Sequence, residues 1–107
     1  SSDLIGILAA IAIPQFSAYK ERAYNSDTKA TLHNLFLSCK AYWADNGAGA
    51  ACTTADVTTT TYGFSKSTKI TITDGTTTEA AFASTAVNSD AATVTYQIDS
   101  SGAITKQ

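Results

Sequence analysis

From Leu4 to Pro14 the chain reads Leu-Ile-Gly-Ile-Leu-Ala-Ala-Ile-Ala-Ile-Pro, apolar on every side and without a charge. A surface helix carries an apolar stripe, whereas one apolar all round must be buried or sit in a membrane. With no turn signal between, the run passes into an amphipathic stretch from Gln15 to about Ala44. There Leu32, Leu35, Phe36, Cys39 and Trp43 recur at i, i+3, i+4, i+7 and i+11, which is one helical face. Lys20, Glu21, Asp27, Lys29 and Lys40 take other faces, and Asp45-Asn46-Gly47 supplies a stop. The pattern predicts one helix over residues 4–44. Pro14 removes a hydrogen bond inside it and costs roughly 3 kcal/mol unless a kink relieves the clash. Gly6 weakens the same stretch by about 1 kcal/mol relative to Ala.

Residues 45–61 read as a connecting loop rich in Gly, Ala and Thr. The period then changes to two, and residues 62–107 read as an antiparallel sheet. Lys69-Ile70-Thr71-Ile72-Thr73 alternates, and Asp74-Gly75 is the signature of a two-residue hairpin turn. Thr77 to about Val87 is the expected returning strand. Asn88-Ser89-Asp90 turns the chain, and Thr93 to Asp99 alternates again with Val94, Tyr96 and Ile98 on one face. Ser100-Ser101-Gly102 makes the last turn before a short edge strand, Ala103-Ile104-Thr105. Tyr62-Gly63-Phe64 is expected to pack where the sheet begins.

The expected fold is α+β, a single domain. The C-terminal half of a long N-terminal helix packs on an antiparallel sheet of three or four strands. Leu32, Leu35, Phe36 and Trp43 would meet Ile70, Ile72, Val94, Tyr96 and Ile98 in the helix–sheet core, with Phe82 a further candidate. The strand register stays open, because a one-residue slip reverses the inward face. A helix of about forty residues is roughly 60 Å long. A compact domain of this size has a radius of gyration of only about 13 Å. The sheet can therefore cover only part of the helix, and the apolar N-terminal end is expected to project and need outside cover.

Composition narrows the function. The chain has 107 residues, 15% of them charged, with a net charge of -2 and pI ≈ 5.0. This argues against a nucleic-acid partner held by bulk electrostatics. Two cysteines, Cys39 and Cys52, stand outside any C-x-x-C or His/Cys cluster. A disulfide between them closes a loop worth about 3 kcal/mol in the chain-entropy account, and it would hold down the Gly/Ala-rich Asp45–Ala51 segment. Two buried thiols are the alternative. The apolar run is shorter than the roughly twenty residues that a membrane span requires, and it lacks signal-peptide features. We read Ser1-Ser2-Asp3 as residues foreign to a chain truncated ahead of Leu4.

At this point the sequence shows a likeness. Ile5-Gly6-Ile7-Leu8-Ala9-Ala10-Ile11-Ala12-Ile13-Pro14-Gln15-Phe16, continuing as Ser17-Ala18-Tyr19-Lys20, resembles the N-terminal segment of the type IVa pilins. The likeness is close up to about Asn25, and beyond that only the order of helix, loop and sheet is shared. It implies a subunit held in the inner membrane by its apolar helix, trimmed by a prepilin peptidase, and packed helix to helix into a cell-surface filament by ATP-driven assembly machinery. Adhesion and twitching motility are the roles such filaments serve. Leu4, Ile5, Gly6, Ile7, Leu8, Ile11, Ile13, Pro14, Phe16 and Tyr19 would pack the filament core, with copies of the chain as partners. The methylated N-terminal Phe and the docking Glu of the family belong upstream of Leu4, so this chain is not expected to assemble normally without them. In the best-known pilins the disulfide brackets a C-terminal loop, so receptor roles assigned to that loop do not transfer here.

Candidate chemistry adds little. His33 stands alone on the helix, and the carboxylates are scattered, mostly in turns, so no pair invites general acid–base work. No catalytic residue, cofactor, metal or small-molecule substrate is therefore expected. Asp90 and Asp99 flank one predicted strand, which is the place to look for the Ca²⁺ of related secretion pseudopilins. A pseudopilin or minor pilin is the alternative to a major subunit. A stacked aromatic path for electrons along Phe16, Tyr19, Tyr24, Phe36, Tyr42 and Trp43 is less favoured than plain packing.

Overall fold

Helix α1 runs Ser2–Asn46, and one side of its last turns carries the whole domain. The computed structural model describes the side chains of residues 18–107. Of residues 2–17 it gives only their place in α1, so the expectations for Leu4 to Phe16 lie outside the described residues. The molecule measures 67 × 27 × 18 Å, and a 45-residue helix is about 67 Å long at the standard rise.

The inward face of α1 is Thr28, Leu32, Leu35, Cys39 and Trp43, all buried. The expected face extends one turn further toward the N-terminus, to Thr28. Thr28 and Thr31 tolerate burial because their hydroxyls donate to the carbonyls one turn back, Tyr24 O at 2.9 Å and Asp27 O at 2.8 Å. Phe36 is half-buried at the edge of the core. The helix closes where the Gly47 N–H donates to Trp43 O at 2.7 Å.

A four-residue helix α2, Thr54–Val57, follows. It is opened by a capping box between Thr53 and Asp56. The Asp74 carboxylate accepts from the Thr54 N–H and hydroxyl, tying α2 to the sheet. Val57 and Phe64 are buried. The sheet does not begin at Tyr62, because residues 63–69 stay irregular. Tyr62 packs instead edge-on to Tyr42, with ring centroids 5.3 Å apart.

Four strands form an antiparallel meander in the order β1-β2-β3-β4: Ile70–Asp74, Ser84–Asn88, Thr95–Ile98 and Ile104–Lys106. Pairing runs Ile72↔Ala86, Ala86↔Tyr96 and Ile98↔Ile104. Ile70, Tyr96 and Ile98 enter the core, whereas Ile72 and Val94 are half-buried against its rim. The inward positions of β2 are Ser84, Ala86 and Asn88, small enough for the helix to lie close on the sheet.

The expected Asp74-Gly75 two-residue hairpin does not form, and the returning strand starts at Ser84 instead of Thr77. The ladder continues past Asp74, with Gly75 N–H donating to Ala83 O and Ala83 N–H to Thr76 O, both at 3.0 Å. A Cβ at Gly75 would stand 2.5 Å from that Ala83 oxygen, so only glycine permits the pairing. The chain then swings out through Thr77–Phe82, including a 3₁₀ turn at Glu79–Ala81. Two forces beat the local turn signal. Thr77 O and the Glu79 N–H bond to the loop beside α1, and Phe82 is 1% exposed, edge-on to Trp43 at 5.2 Å. Burying such a ring contributes about 1.5–3 kcal/mol.

Replacing Phe82 by Ala is expected to lower stability by about 3–5 kcal/mol, read from the midpoint of guanidinium unfolding. Phe82→Leu should lose clearly less. Equal losses would show that ring packing against Trp43 and Phe36 is not what fixes the wide connection.

Candidate functional site

Two features that sequence reasoning singled out are the cysteine pair, which is buried on the packed side of α1, and the helix ahead of the head, which is exposed from Ala18 to Ala23. Cys39 and Cys52 form a disulfide with Cα atoms 5.8 Å apart, both fully buried. It fastens the loop 47–53 to the helix, and further bonds complete the clamp. The Trp43 indole N–H donates to Ala50 O at 2.9 Å. The Cys52 N–H donates to Thr77 O at 2.9 Å, and the Glu79 N–H to Ala48 O at 3.1 Å. Lys40 reaches Glu79 at 3.3 Å and lies over the rings of Phe36 and Trp43. Helix, loop and wide connection are thus sewn together around Trp43. This is a structural device, since both sulfurs are sealed from solvent.

The carboxylates of the head are taken up in local contacts, three of them with backbone N–H groups. Asp56 caps α2, and Asp74 tethers it to β1. Asp90 pairs with Lys69 at 3.0 Å. Asp45 accepts from the Tyr62 hydroxyl at 3.0 Å. Partial burial, and then that bond, hold the Tyr62 hydroxyl above its ordinary value of 10.0. Asp99 accepts from the N–H groups of Ser101 and Ala103 and from the Ser101 hydroxyl. These bonds, led by the hydroxyl, hold Asp99 below the ordinary 3.8. They shape the turn into β4, where Gly102 at φ +85° sits under the Phe36 ring, 3.0 Å from where a Cβ would stand.

Asp90 and Asp99 lie at opposite ends of β3 and serve different local contacts. Among the described residues no group of three or more His, Cys, Asp or Glu side chains gathers to hold a metal. His33 is exposed on α1. A hollow of about 330 Å³ between α1 and the turn before β3 is lined by Glu21, Asn25, Asp90 and Val94, among others. It contains no nucleophile–base pair.

The exposed part of α1 is different in character. Ala18 to Ala23 are all exposed, so the head begins to cover the helix only at Tyr24 and Asn25. Tyr19 is 71% exposed and Leu37 51%, the large apolar side chains left open to solvent among the described residues. Tyr19 was expected to pack between subunits, and among the described residues its side chain lies open to solvent. Leu37 escaped the sequence reading because it belongs to neither the core face nor the N-terminal run. Its position five turns from Tyr19 on one side was the available signal. Phe36, Tyr42 and Trp43 are drawn into contacts with Phe82 and Tyr62. Among the described residues no helix is long and apolar enough to cross a membrane. No protein-family model matches the chain, and neither does any curated protein.

Two outcomes test this arrangement. Replacing both Cys39 and Cys52 by Ser should lower unfolding free energy by about 3 kcal/mol and expose loop 47–53 to protease. An unchanged midpoint would show that the hydrogen bonds around Trp43 hold the loop unaided. For Asp99, a depressed folded-state pKa means that its stabilisation is present above the ordinary carboxylate range. That stabilisation is lost as pH falls through the lower folded value. Amide shifts of Ser101 and Ala103 should titrate with a midpoint below 3.8, and a midpoint at or above it would contradict the cradle.

Proposed function

We propose that this chain is a structural, non-catalytic subunit of a type IV pilus. It would polymerise through its N-terminal helix into a cell-surface filament for adhesion or motility. One observation carries the reading: α1 continues without a break from the apolar run Leu4–Pro14 into the head, and its first described residues, Ala18 to Ala23, are all exposed. Each apolar side chain in that run would gain about 1.5–3 kcal/mol on burial, and copies of the same helix offer matching apolar surface. The pilin-like segment Ile5–Phe16 and the helix–loop–sheet order support the same conclusion. A resident cofactor or small-molecule substrate has no part in it.

In this reading the subunit waits in the inner membrane until the assembly machinery moves it into the filament, and the head faces outward. The buried disulfide and the tethered turns suit a head exposed outside the cell, where oxidising conditions preserve such bonds. A pseudopilin or minor pilin would share the helix but be scarce. The alternatives therefore separate by abundance and by whether filaments form.

The chain should be expressed behind the N-terminal segment of a type IVa pilin in a pilus-assembling bacterium lacking its own major subunit. Electron microscopy should then show thin filaments labelled along their length by antibodies to residues 47–107. Abundant, membrane-held protein without filaments would sink the major-subunit reading and favour the minor or pseudopilin one.

A further inference from the structure

The sheet has a second face, turned away from α1, and its side chains form a grid. Strand pairing sets Thr73, Thr85, Gln97 and Thr105 side by side in one row. Thr71, Val87 and Thr95 make the next row, which Gln107 extends by donating its N–H to Thr95 O at 2.8 Å. These positions alternate with Ile70, Ala86, Tyr96 and Ile98, which enter the core, so the grid points away from it. No position in the grid carries a charge or an aromatic ring. At its borders Lys69 is held by Asp90 at 3.0 Å, and Asp99 is engaged by the Ser101 turn.

A second observation concerns the hydroxyls. Several threonines elsewhere use theirs inside the chain: Thr28 and Thr31 donate to helix carbonyls, Thr54 to Asp74, and Thr58 to Thr54 O. Those of Thr71, Thr73, Thr85, Thr95 and Thr105 bond to nothing among the described residues. A β-branched side chain is stiff at χ1, so the strands hold each hydroxyl and methyl in a set direction. Val87 has the shape of threonine and continues the methyl pattern.

We propose that this face binds the surface of an ice crystal. Its chemistry removes other partners first. Without charge it has no attraction for nucleic acid, lipid headgroups or mineral ions. Without a ring it offers sugars no stacking platform, and without large apolar side chains it offers a second protein no anchor. What remains is an uncharged, regular array of hydroxyl and methyl groups, the electrostatic match of a lattice of neutral water. The spacings agree as well. Neighbouring strands lie about 4.8 Å apart, and alternate residues along a strand about 6.8 Å apart. Ice joins its oxygens tetrahedrally by bonds of about 2.75 Å, so oxygens two bonds apart stand at about 4.5 Å and the pattern repeats after about 7.3 Å along the perpendicular axis. Each pair of distances agrees to within about a tenth. Water held over the hydroxyls and around the methyls in this pattern joins the lattice with little rearrangement. Sheet twist turns each strand about 20–25° against the next, so the match is best between neighbouring strands and one copy binds weakly. The inference goes beyond the filament reading and does not rest on it, since a single chain carries the whole face.

Partition into slowly growing ice tests this with the 107-residue chain as it stands. Growing ice rejects ordinary solutes, so the ratio of protein in ice to protein in liquid is measured beside an inert globular protein of similar mass. Two variants of equal charge are compared: Thr85→Lys, at the centre of the grid, and Thr60→Lys, at an exposed turn away from it. Near-UV circular dichroism checks each fold first. The native chain should enter ice in excess of the inert protein. Thr85→Lys should cut that excess about tenfold, the equivalent of about 1.4 kcal/mol, while Thr60→Lys keeps it. If Thr85→Lys does not fold, Thr73→Lys on the exposed edge strand carries the same expectation. Rejection of the native chain as complete as that of the inert protein would overturn the proposal. Undiminished entry of a folded grid variant, or an equal loss in Thr60→Lys, would do so too. Retention on crystalline cellulose in the cold, with no excess in ice, would give the face to a polysaccharide and overturn it as well.

Discussion

A helix of 45 residues cannot be covered by strands of three to five, and this mismatch governs the rest of the molecule. Among the described residues the buried side of the helix runs from Thr28 to Trp43. Within that contact the two partners divide the volume unequally. The helix brings Leu32, Leu35 and Trp43, while the strand under it offers Ser84 and Ala86. Close approach replaces interdigitation there, because large side chains on both surfaces would push the helix off a sheet too small to hold it.

The short strands leave a deficit that the loops make up. Cys52, Val57, Phe64 and Phe82 are all core residues, and none lies in a strand. A core built partly from loops needs those loops held, since an untethered segment loses roughly 1–2 kcal/mol of backbone freedom for each residue it orders. The disulfide, the Trp43 indole bond, the capping box at Thr53 and the Asp74 tether are the devices that offset this cost. They cluster on the segments that deliver apolar side chains from irregular backbone.

How far the fold was legible follows from which forces were local. The core face of α1 could be read because its period persists from Leu32 to Trp43 and packing agrees with it. The strands around Ile70 and Tyr96 showed through alternation, and the cysteine pair through its isolation from other ligands. The connection after Asp74 was misread because Asp-Gly is a strong local signal, and only the three-dimensional neighbourhood of Phe82 outweighs it. Val57 was passed over as a single apolar residue among threonines, where no period can form, whereas Phe64 was expected to pack and is buried ahead of the first strand. Thr28 looked polar in the sequence and is buried because its hydroxyl is satisfied within the helix. Ile72 and Val94 alternate correctly and still reach only the rim, since the pattern gives a side of the sheet but not the helix's footprint on it. Of the exposed apolar side chains, Tyr19 was singled out through the pilin-like segment, whereas Leu37 stands out only once the opposite side of the helix is known to be occupied.

The distribution of unmet interactions decides where function can lie. In the head, Asp45, Asp56, Asp74, Glu79, Asp90 and Asp99 all have partners, and the aromatic rings of Trp43, Phe82 and Tyr62 are stacked or edge-packed. Charged and aromatic groups so satisfied gain little from meeting a ligand. On the outer side of α1, by contrast, Tyr19 and Leu37 stand in water, and Arg22 and Asp27 have no ion-pair partner among the described residues. Binding energy comes from differences between the free and bound states, so the helix has more to gain from a partner than the head does. In α1 the residues that close the core, Leu32, Leu35, Cys39 and Trp43, are not the ones left exposed, Tyr19 and Leu37, so a subunit that assembled through this helix, as proposed, could do so without opening its core.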